Sequence, residues 1–354
     1  MPDAAFALLD DMLADMSAAD PLYQPTSFWQ GASDLLVEEV REHGIDHFKS
    51  LPMPLRFFVP NFAFPDYYRS PETYAAVRES LKGARDKPDR LLLRLESMMS
   101  GREQAMADYR VFLAGDIDSP PYLDRVTEST LGNPAEQFEF DGRRFSRAFL
   151  NYLLGLNFIK RHCDLDNLGV VMEIGGGHGG LGEIVLGDER NNGFYLDVDI
   201  PPTAFFATWY LQQVFGKEII ADYNHLRDRE TLSIEDLRRS HRGAVICPWQ
   251  LPRLQGPVDL FVNFVSFQEM EPPVVKNYLA HVQRLGPELV LLRNLREGKQ
   301  VARNPGDIGV RDPILGSDYD DFLDQYALVA SNVLPYGHLT EDGFHSELKL
   351  YRKR

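Results

Sequence analysis

The chain has 354 residues, 44% of them hydrophobic, and its 53 acidic and 37 basic side chains give a formal net charge of -16. This composition is that of a globular protein, and the length allows two domains or one domain with a large extension. The negative charge disfavours nucleic acid and anionic membranes as partners, because both repel an acidic surface. Cys163 and Cys247 are too few for a disulfide framework, and without a signal peptide they predict a cytoplasmic protein.

Residues 1–140 are predicted to be mainly helical. Apolar residues recur at helical spacing from Leu8 to Met16 and less regularly from Leu35 to Ile45. Ser70-Pro71-Glu72 predicts a helix start, and amphipathic helices are expected within 71–84 and 90–114. The stretch 56–68, rich in aromatic residues and prolines, is predicted to be a packed loop. This region could cover a substrate site, form a symmetric homodimer or serve as a structural cap.

From residue 141 the pattern changes to alternating strands and helices. A helix with an apolar stripe from Phe145 to Ile159 leads into the first strand. Alternation of this kind is typical of an α/β fold with a mostly parallel sheet covered on both faces. Strands are predicted at 170–174, 194–200, 244–247, 260–264 and 289–292, helices near 179–187, 202–215 and 272–284, and an antiparallel closing pair of strands at 328–334 and 346–351.

Crowded glycines follow the first strand, in the run Glu173-Ile174-Gly175-Gly176-Gly177-His178-Gly179-Gly180. Glycines let the backbone turn sharply between a strand and a helix and approach a ligand closely. The run favours an S-adenosylmethionine pocket, in which Glu173 would reach the cationic amino-acid end of the ligand. Gly175, Gly177 and Gly180 also match the G-x-G-x-x-G pattern of dinucleotide sites, and a turn that binds nothing is a third alternative.

Two further positions follow the next two strands. Asp199 ends the second strand, where nucleotide-binding folds place a carboxylate on the ribose hydroxyls, although it could instead cap the following helix. Asp197 should point to the opposite face of the strand and is the weaker candidate. Trp249 follows the third strand, near the expected adenine ring, and could stack on it or belong to the core.

The fourth strand leads into Val265-Ser266-Phe267-Gln268-Glu269-Met270. Ligands of open parallel sheets bind beyond the carboxyl ends of the strands, so residues 263–269 should border the transferred group. We expect Asn263 and Ser266 to lie on the cofactor side, and Gln268 and Glu269 to lie near the reacting atoms.

Three of these segments, Glu-Ile-Gly-Gly-Gly at 173–177, Asp-Ile-Pro at 199–201 and Ser-Phe-Gln-Glu-Met at 266–270, together resemble the sugar O-methyltransferases of natural-product and surface-glycan gene clusters. The resemblance covers residues 165–300. It implies a Rossmann-like class I S-adenosylmethionine-dependent methyltransferase fold, with Glu173, Gly175 and Gly177 near the methionine end, Asp199 on the ribose and 266–269 near the acceptor. The closing antiparallel strands favour this fold over that of dehydrogenases. His178 departs from the family pattern, and its role stays open.

Methylation of a sugar hydroxyl requires close positioning and a general base, because the pKa of a hydroxyl lies far above neutrality. His178 and Glu269 are the nearest candidates, although His178 could simply pack and Glu269 could stabilise a helix start. A carboxylate acceptor, such as the C-terminus of a biosynthetic peptide, needs no base, and Arg293 with the adjacent Asn294 could bind it. No compact His/Asp motif demands a metal ion.

The leading hypothesis is a cytoplasmic S-adenosylmethionine-dependent O-methyltransferase that acts on a hydroxyl of a sugar or glycosylated natural product in secondary metabolism. A carboxyl O-methyltransferase, an NAD(P)-dependent oxidoreductase and a non-catalytic scaffold are the alternatives. We expect a mainly helical region at 1–140 that covers the acceptor site or makes a homodimer, and an S-adenosylmethionine-binding domain at 141–354.

Overall fold

A computed structural model of the chain describes residues 6–62, 66–68, 70–83, 87–302 and 309–354. Short 3₁₀ turns, among them Pro248–Arg253 and Ser266–Glu269, connect several elements. The helices are α1 Ala7–Ala18, α2 Ser27–His43, α3 Pro52–Phe58, α4 Pro71–Lys82, α5 Pro88–Met99, α6 Arg102–Gly115, α7 Arg147–His162, α8 Gly180–Gly187, α9 Thr203–Phe215, α10 Tyr223–Leu226, α11 Ile234–Ser240, α12 Pro272–Leu285 and α13 Asp318–Phe322.

The strands belong to one large sheet and two small two-stranded ones. They are β1 Phe138–Phe140, β2 Arg143–Phe145, β3 Val170–Ile174, β4 Phe194–Val198, β5 Ile220–Ala221, β6 Leu232–Ser233, β7 Gly243–Ile246, β8 Leu254–Gln255, β9 Leu260–Phe264, β10 Leu289–Leu295, β11 Tyr326–Asn332, β12 His338–Leu339 and β13 His345–Lys353.

The large sheet has the strand order β11-β13-β10-β9-β3-β4-β7-β5. Neighbouring strands from β10 to β5 run parallel, whereas β13 lies between β10 and β11 and is antiparallel to both. The prediction of an α/β, Rossmann-like sheet with an antiparallel closing strand is therefore confirmed. This arrangement is the one expected of the class I methyltransferase fold.

Several predicted boundaries change in the structure. Strands β3 and β9 have the predicted limits, but β10 continues to Leu295, so Arg293 and Asn294 lie within the strand and not after it. The loop predicted at 56–68 is wrong at its start, because α3 includes residues 56–58. The prolines of α3 lie in its first turn, where a missing N–H costs no helical hydrogen bond. Positions 63–65 of that predicted loop are outside the described residues.

Side chains of the sheet alternate between two apolar cores. Val171 and Val262 face a core that also contains Leu9 and Leu36 from the N-terminal helices, whereas Met172 faces the core on the α12 side. The first core therefore joins the N-terminal region to the sheet. The predicted boundary after residue 140 falls between the paired strands β1 and β2, and the two-region organisation stays a prediction.

The described part of the chain shows neither a membrane-spanning helix nor a cluster of metal-ligating side chains. None of its helices is long and apolar enough to cross a bilayer, and it contains no group of three or more His, Cys, Asp or Glu side chains placed to hold a metal ion. In α13, Asp320 ties the helix to β13, since it accepts hydrogen bonds from Lys349 Nζ at 2.7 Å and Tyr351 OH at 2.6 Å.

Candidate functional site

The loops after β3 and β9 meet at the carboxyl edge of the sheet. Asn263 Nδ2 and Ser266 Oγ both donate to the carbonyl oxygen of Ile174, at 2.9 and 3.0 Å, and thereby tie the two loops together. A cavity of about 350 Å³ opens beside them, bordered by Gly175–His178 from one loop and by Ser266, Gln268 and Glu269 from the other. This is the edge at which parallel sheets of this kind bind ligands.

The glycine loop has a backbone that side chains would disturb. Gly175 has φ +77° and Gly177 has φ +64°, in the region that favours glycine. A Cβ atom at Gly175 would lie inside 3.0 Å of Ser266 Oγ and Cβ. Among the described residues, one at Gly177 would touch only Phe58, at 3.5 Å. Gly175 is therefore required by the fold of the two loops, whereas Gly177 keeps its face of the cavity open.

Asp199 lies on the cavity wall, with 8% of its surface exposed. Its Oδ2 accepts from the Gly177 backbone N–H at 2.9 Å and its Oδ1 from that of Ile200 at 2.8 Å. Burial raises the pKa of the Asp199 carboxyl to about 7, although the hydrogen bonds it accepts oppose this shift. Its position suits a ligand hydroxyl, and the ribose role stays a prediction.

Glu173 is fully buried under the glycine loop. Its Oε2 accepts from Tyr195 OH at 2.6 Å, and its Oε1 has no hydrogen-bond partner in the described part of the chain. Burial raises the pKa of this carboxyl to about 8. The cavity wall begins at Ile174 on this strand and does not include Glu173. Direct contact between Glu173 and the amino group of a ligand stays a prediction. Such a contact would require the residues between Glu173 and the cavity to rearrange.

Asn263, Gln268 and Asn294 form a hydrogen-bonded network behind the cavity. Asn294 Nδ2 donates to Asn263 Oδ1 at 3.1 Å, and Asn294 Oδ1 accepts from the Gln268 backbone N–H at 3.1 Å. Gln268 Oε1 accepts from the Leu295 backbone N–H at 2.7 Å. Only Gln268 borders the cavity. The amides of Asn263 and Asn294 hold the β9 loop against β10, and the predicted ligand contacts of these two residues stay a prediction.

Glu269 faces the cavity with 8% exposure and is held by two residues that the sequence did not indicate. Its Oε1 accepts from Lys299 Nζ at 3.1 Å and its Oε2 from Trp29 Nε1 at 3.2 Å. Each carboxylate oxygen keeps a second lone pair for another partner. Glu269 can therefore accept from an acceptor hydroxyl, and its role as a general base stays a prediction.

His178 lies in an aromatic part of the cavity wall. The ring centroids of Phe58, Tyr210 and Phe48 lie 5.3, 5.5 and 5.8 Å from that of His178. Burial, together with the nearby charge of Lys49, lowers the pKa of His178 well below its ordinary value. The imidazole is therefore neutral, as expected, but it is a weaker base than an exposed histidine.

Trp249 lies outside the cavity wall and packs against the apolar core, so the structure favours the core alternative over stacking on adenine. Its Nε1 donates to Tyr223 OH at 3.1 Å, and the two rings meet edge to face with centroids 5.9 Å apart. The 3₁₀ turn after β7 directs the indole toward α10, and only Pro248 of this turn borders the cavity. Tyr278 of α12 borders the cavity instead.

Arg293 borders the cavity and is fully buried. Its Nη2 donates to the Tyr336 carbonyl oxygen at 2.5 Å, and its guanidinium carbon lies 4.9 Å from the centre of the Phe264 ring. Neither Nε nor Nη1 has a hydrogen-bond partner among the described residues. Burial lowers the pKa of this guanidinium to about 10, so it is charged at neutral pH.

The N-terminal region supplies part of the cavity wall. Its contributing residues come from α2, from α3 and from the segment just after α3, and they are Phe28, Trp29, Arg56, Phe57, Phe58, Val59, Pro60 and Asn61. Trp29 and Phe57 pack with ring centroids 5.1 Å apart. The density of aromatic residues near position 57 was the only sequence signal for this wall, and it gave no indication of which side chains face the cavity.

No family model matches the chain, and no curated protein matches it. Solved structures with a similar fold include a Burkholderia thailandensis 1,6-didemethyltoxoflavin-N1-methyltransferase with bound S-adenosylhomocysteine, at 16% identity over 56% of this chain and 76% of that chain, with a TM-score of 0.38. The Synechocystis PCC 6803 magnesium protoporphyrin IX methyltransferase with bound S-adenosylmethionine has 11% identity over 52% and 69%, with a TM-score of 0.33.

A third structure, the mitomycin 7-O-methyltransferase, has 12% identity over 100% of this chain and 73% of that chain, with a TM-score of 0.36. These three are all methyltransferases, and two of them hold the methyl donor or its product. Similarity at this level transfers no activity to the present chain.

Proposed function

We propose that the protein is an S-adenosylmethionine-dependent methyltransferase. The observation that carries the proposal is the convergence of the glycine loop after β3 and of Asp199 after β4 on one cavity, at the carboxyl edge of a sheet in which β13 is inserted antiparallel. A glycine loop offers close backbone approach, and a carboxylate accepts from two ribose hydroxyls.

The strand order supports this reading over a dinucleotide-dependent oxidoreductase. The usual dinucleotide-binding sheet has the parallel order 3-2-1-4-5-6. Here β10 is followed in the sheet by antiparallel β13 and then by β11. The glycine pattern alone fits both classes of cofactor, so the closing strands favour the methyl donor.

When bound, S-adenosylmethionine supplies an electrophilic methyl group. The residues of the chain then have three tasks: Asp199 accepts from the nucleoside hydroxyls, the glycine loop leaves room for the ligand, and the aromatic wall from α2 and α3 excludes water. Methyl transfer is an in-line displacement, and most of its acceleration comes from holding the acceptor at near-attack distance. Trp29 contributes by fixing Glu269 at the cavity wall.

The acceptor that we favour is a hydroxyl of a sugar or glycosylated natural product. A hydroxyl must lose its proton during transfer, and Glu269 is a cavity carboxylate placed to accept it, whereas burial lowers the pKa of the other candidate, His178, and makes it a weaker base than an ordinary histidine. The second candidate acceptor is a carboxylate, such as a peptide C-terminus. It is supported by the charged and incompletely bonded Arg293 on the same cavity.

The test is to incubate the protein with S-adenosylmethionine and a panel of glycosides and free-acid peptides, and to measure S-adenosylhomocysteine together with the mass of each product. We expect one methyl group on an acceptor hydroxyl, and a Glu269→Gln variant with much lower kcat. A methyl ester whose formation is insensitive to Glu269→Gln would establish the carboxylate alternative. Oxidation of an acceptor with NAD(P) would contradict both.

A further inference from the structure

We propose that Arg293 and His338 form a subsite that binds a carboxylate group of the acceptor. This inference rests on the proposed function, because it assigns the substrate class of the same cavity. It specifies that the acceptor carries a carboxylate, as a sugar acid does. This requirement is separate from the question of which atom is methylated.

The first support is the incomplete bonding of Arg293. Its guanidinium has 0% exposure, and of its three nitrogens only Nη2 has a hydrogen-bond partner among the described residues. A buried donor without a partner costs about 1–3 kcal/mol, and more when the group is charged. Since Arg293 borders the cavity, a ligand oxygen there can satisfy these N–H groups.

Among the described residues, Arg293 has no close counter-ion. The neighbouring Arg147 has two acidic partners, Asp66 at 2.9 Å and Glu136 at 3.0 Å. The remaining acid nearby is Asp108, which influences Arg293 electrostatically but forms no ion pair within 4.0 Å. Burial raises the pKa of Asp108 to about 7, so its carboxylate neutralises Arg293 only in part at neutral pH. An anionic ligand group would complete the charge balance.

His338 adds a second polar group to the same part of the cavity. It is 9% exposed, its ring centroid lies 4.4 Å from that of Phe62, and its Nδ1 has no hydrogen-bond partner among the described residues. Burial and the two arginines lower its pKa to about 3, so the ring is neutral. A neutral imidazole can donate one hydrogen bond to a carboxylate oxygen. Ser346, which pairs with His338 between β12 and β13, also borders the cavity, as does Asn151.

A carboxylate suits this subsite better than a neutral sugar. Guanidinium forms charge-assisted hydrogen bonds to carboxylates that are about twice as strong as neutral ones. The Phe264 ring below the guanidinium and the Tyr152 ring, which stacks on Phe264 at 5.0 Å, leave an apolar floor that strengthens such a bond.

The test uses a matched pair of probes, glucuronate and glucose, which differ in one carboxylate. Binding of each is measured by calorimetry and by the melting temperature of the full-length protein. We expect glucuronate to bind and to raise the melting temperature, glucose to do neither, and Arg293→Gln to weaken glucuronate binding by about 10- to 100-fold, the range of one charged hydrogen bond. His338→Ala, which keeps the buried charge, should weaken it less.

S-adenosylhomocysteine binding is measured on the same variants, and it separates this proposal from the proposed function. Retained binding of S-adenosylhomocysteine with lost binding of glucuronate supports the subsite and shows that Arg293→Gln is folded. Glucuronate binding without S-adenosylhomocysteine binding in the wild type would leave the subsite standing and contradict the methyltransferase. Equal binding of both probes, or glucuronate binding that neither variant changes, would overturn the subsite.

Discussion

The contact between Gly175 and Ser266 provides a sharp prediction about the cavity loops. In Gly175→Ala, the new Cβ would lie inside 3.0 Å of Ser266 Oγ and Cβ, at a backbone φ of +77°. The left-handed backbone costs a non-glycine residue roughly 1–2 kcal/mol. Displacement of Ser266 would also break its hydrogen bonds with Ile174 and Asn263, at about 1 kcal/mol each. We expect a total loss of roughly 3–4 kcal/mol in the free energy of unfolding.

Gly177→Ala is the matched control. Its φ of +64° carries the same backbone cost, but of the described residues its new Cβ would meet only Phe58, at 3.5 Å, so the loss should be roughly 1–2 kcal/mol. In a Ser266→Gly background, Gly175→Ala should lower the free energy of unfolding by no more than this control does, because the clashing side chain is gone. In a Ser266→Ala background the Cβ clash remains, so the loss caused by Gly175→Ala should not become smaller. Denaturant unfolding measures the four single variants and the two double variants. Equal losses for Gly175→Ala and Gly177→Ala, or no relief by Ser266→Gly, would refute the reasoning.

Three further predictions follow from the site. Burial raises the folded-state pKa of Glu173 from 4.5 to about 8, so the native state holds this proton and wild-type stability falls as pH rises through that window. The melting temperature of Glu173→Gln should therefore rise relative to that of the wild type between pH 5 and pH 8.5. A difference that stays constant over this range would contradict the pKa shift. Tyr278→Ala should weaken S-adenosylhomocysteine binding in calorimetry, whereas Trp249→Ala, outside the cavity, should change the dissociation constant by no more than about twofold. The reverse order of effects would contradict the assigned cavity wall. Asn294→Ala should lower the melting temperature, because Asn263 Oδ1 loses the Asn294 amide donor and the Gln268 backbone N–H loses its acceptor, and an unchanged value would contradict its structural role.

The sheet could be predicted from the sequence because its strands are fully buried. Strand β3 is an unbroken apolar run apart from Glu173, and it is bounded by glycines on both sides, so its ends are fixed by local signals. Strand β10 was predicted too short, because a buried Arg293 and Asn294 are polar residues in a strand centre, and only the surrounding contacts stabilise them there.

Within the site, the sequence indicated the loops but not the direction of every side chain. Asp199 and Gln268 border the cavity, as expected from strand ends that share one edge of the sheet. Asn263 and Asn294 lie in the same region but bond to each other, and periodicity contains no information about such pairing. The contacts of Trp29 and Lys299 with Glu269 bring together residues far apart in the chain, and no local pattern predicts them.

The proposed function requires that the cavity binds S-adenosylhomocysteine, the compound left after the cofactor has donated its methyl group, and not a dinucleotide. Calorimetric titration with S-adenosylhomocysteine, with NAD and NADP as comparators, tests it most directly. The account predicts micromolar binding of S-adenosylhomocysteine alone, lost in Asp199→Ala and retained in the control Glu235→Ala, which removes an exposed acid of α11. Binding of NAD or NADP, or no binding of S-adenosylhomocysteine by the folded protein, would contradict it.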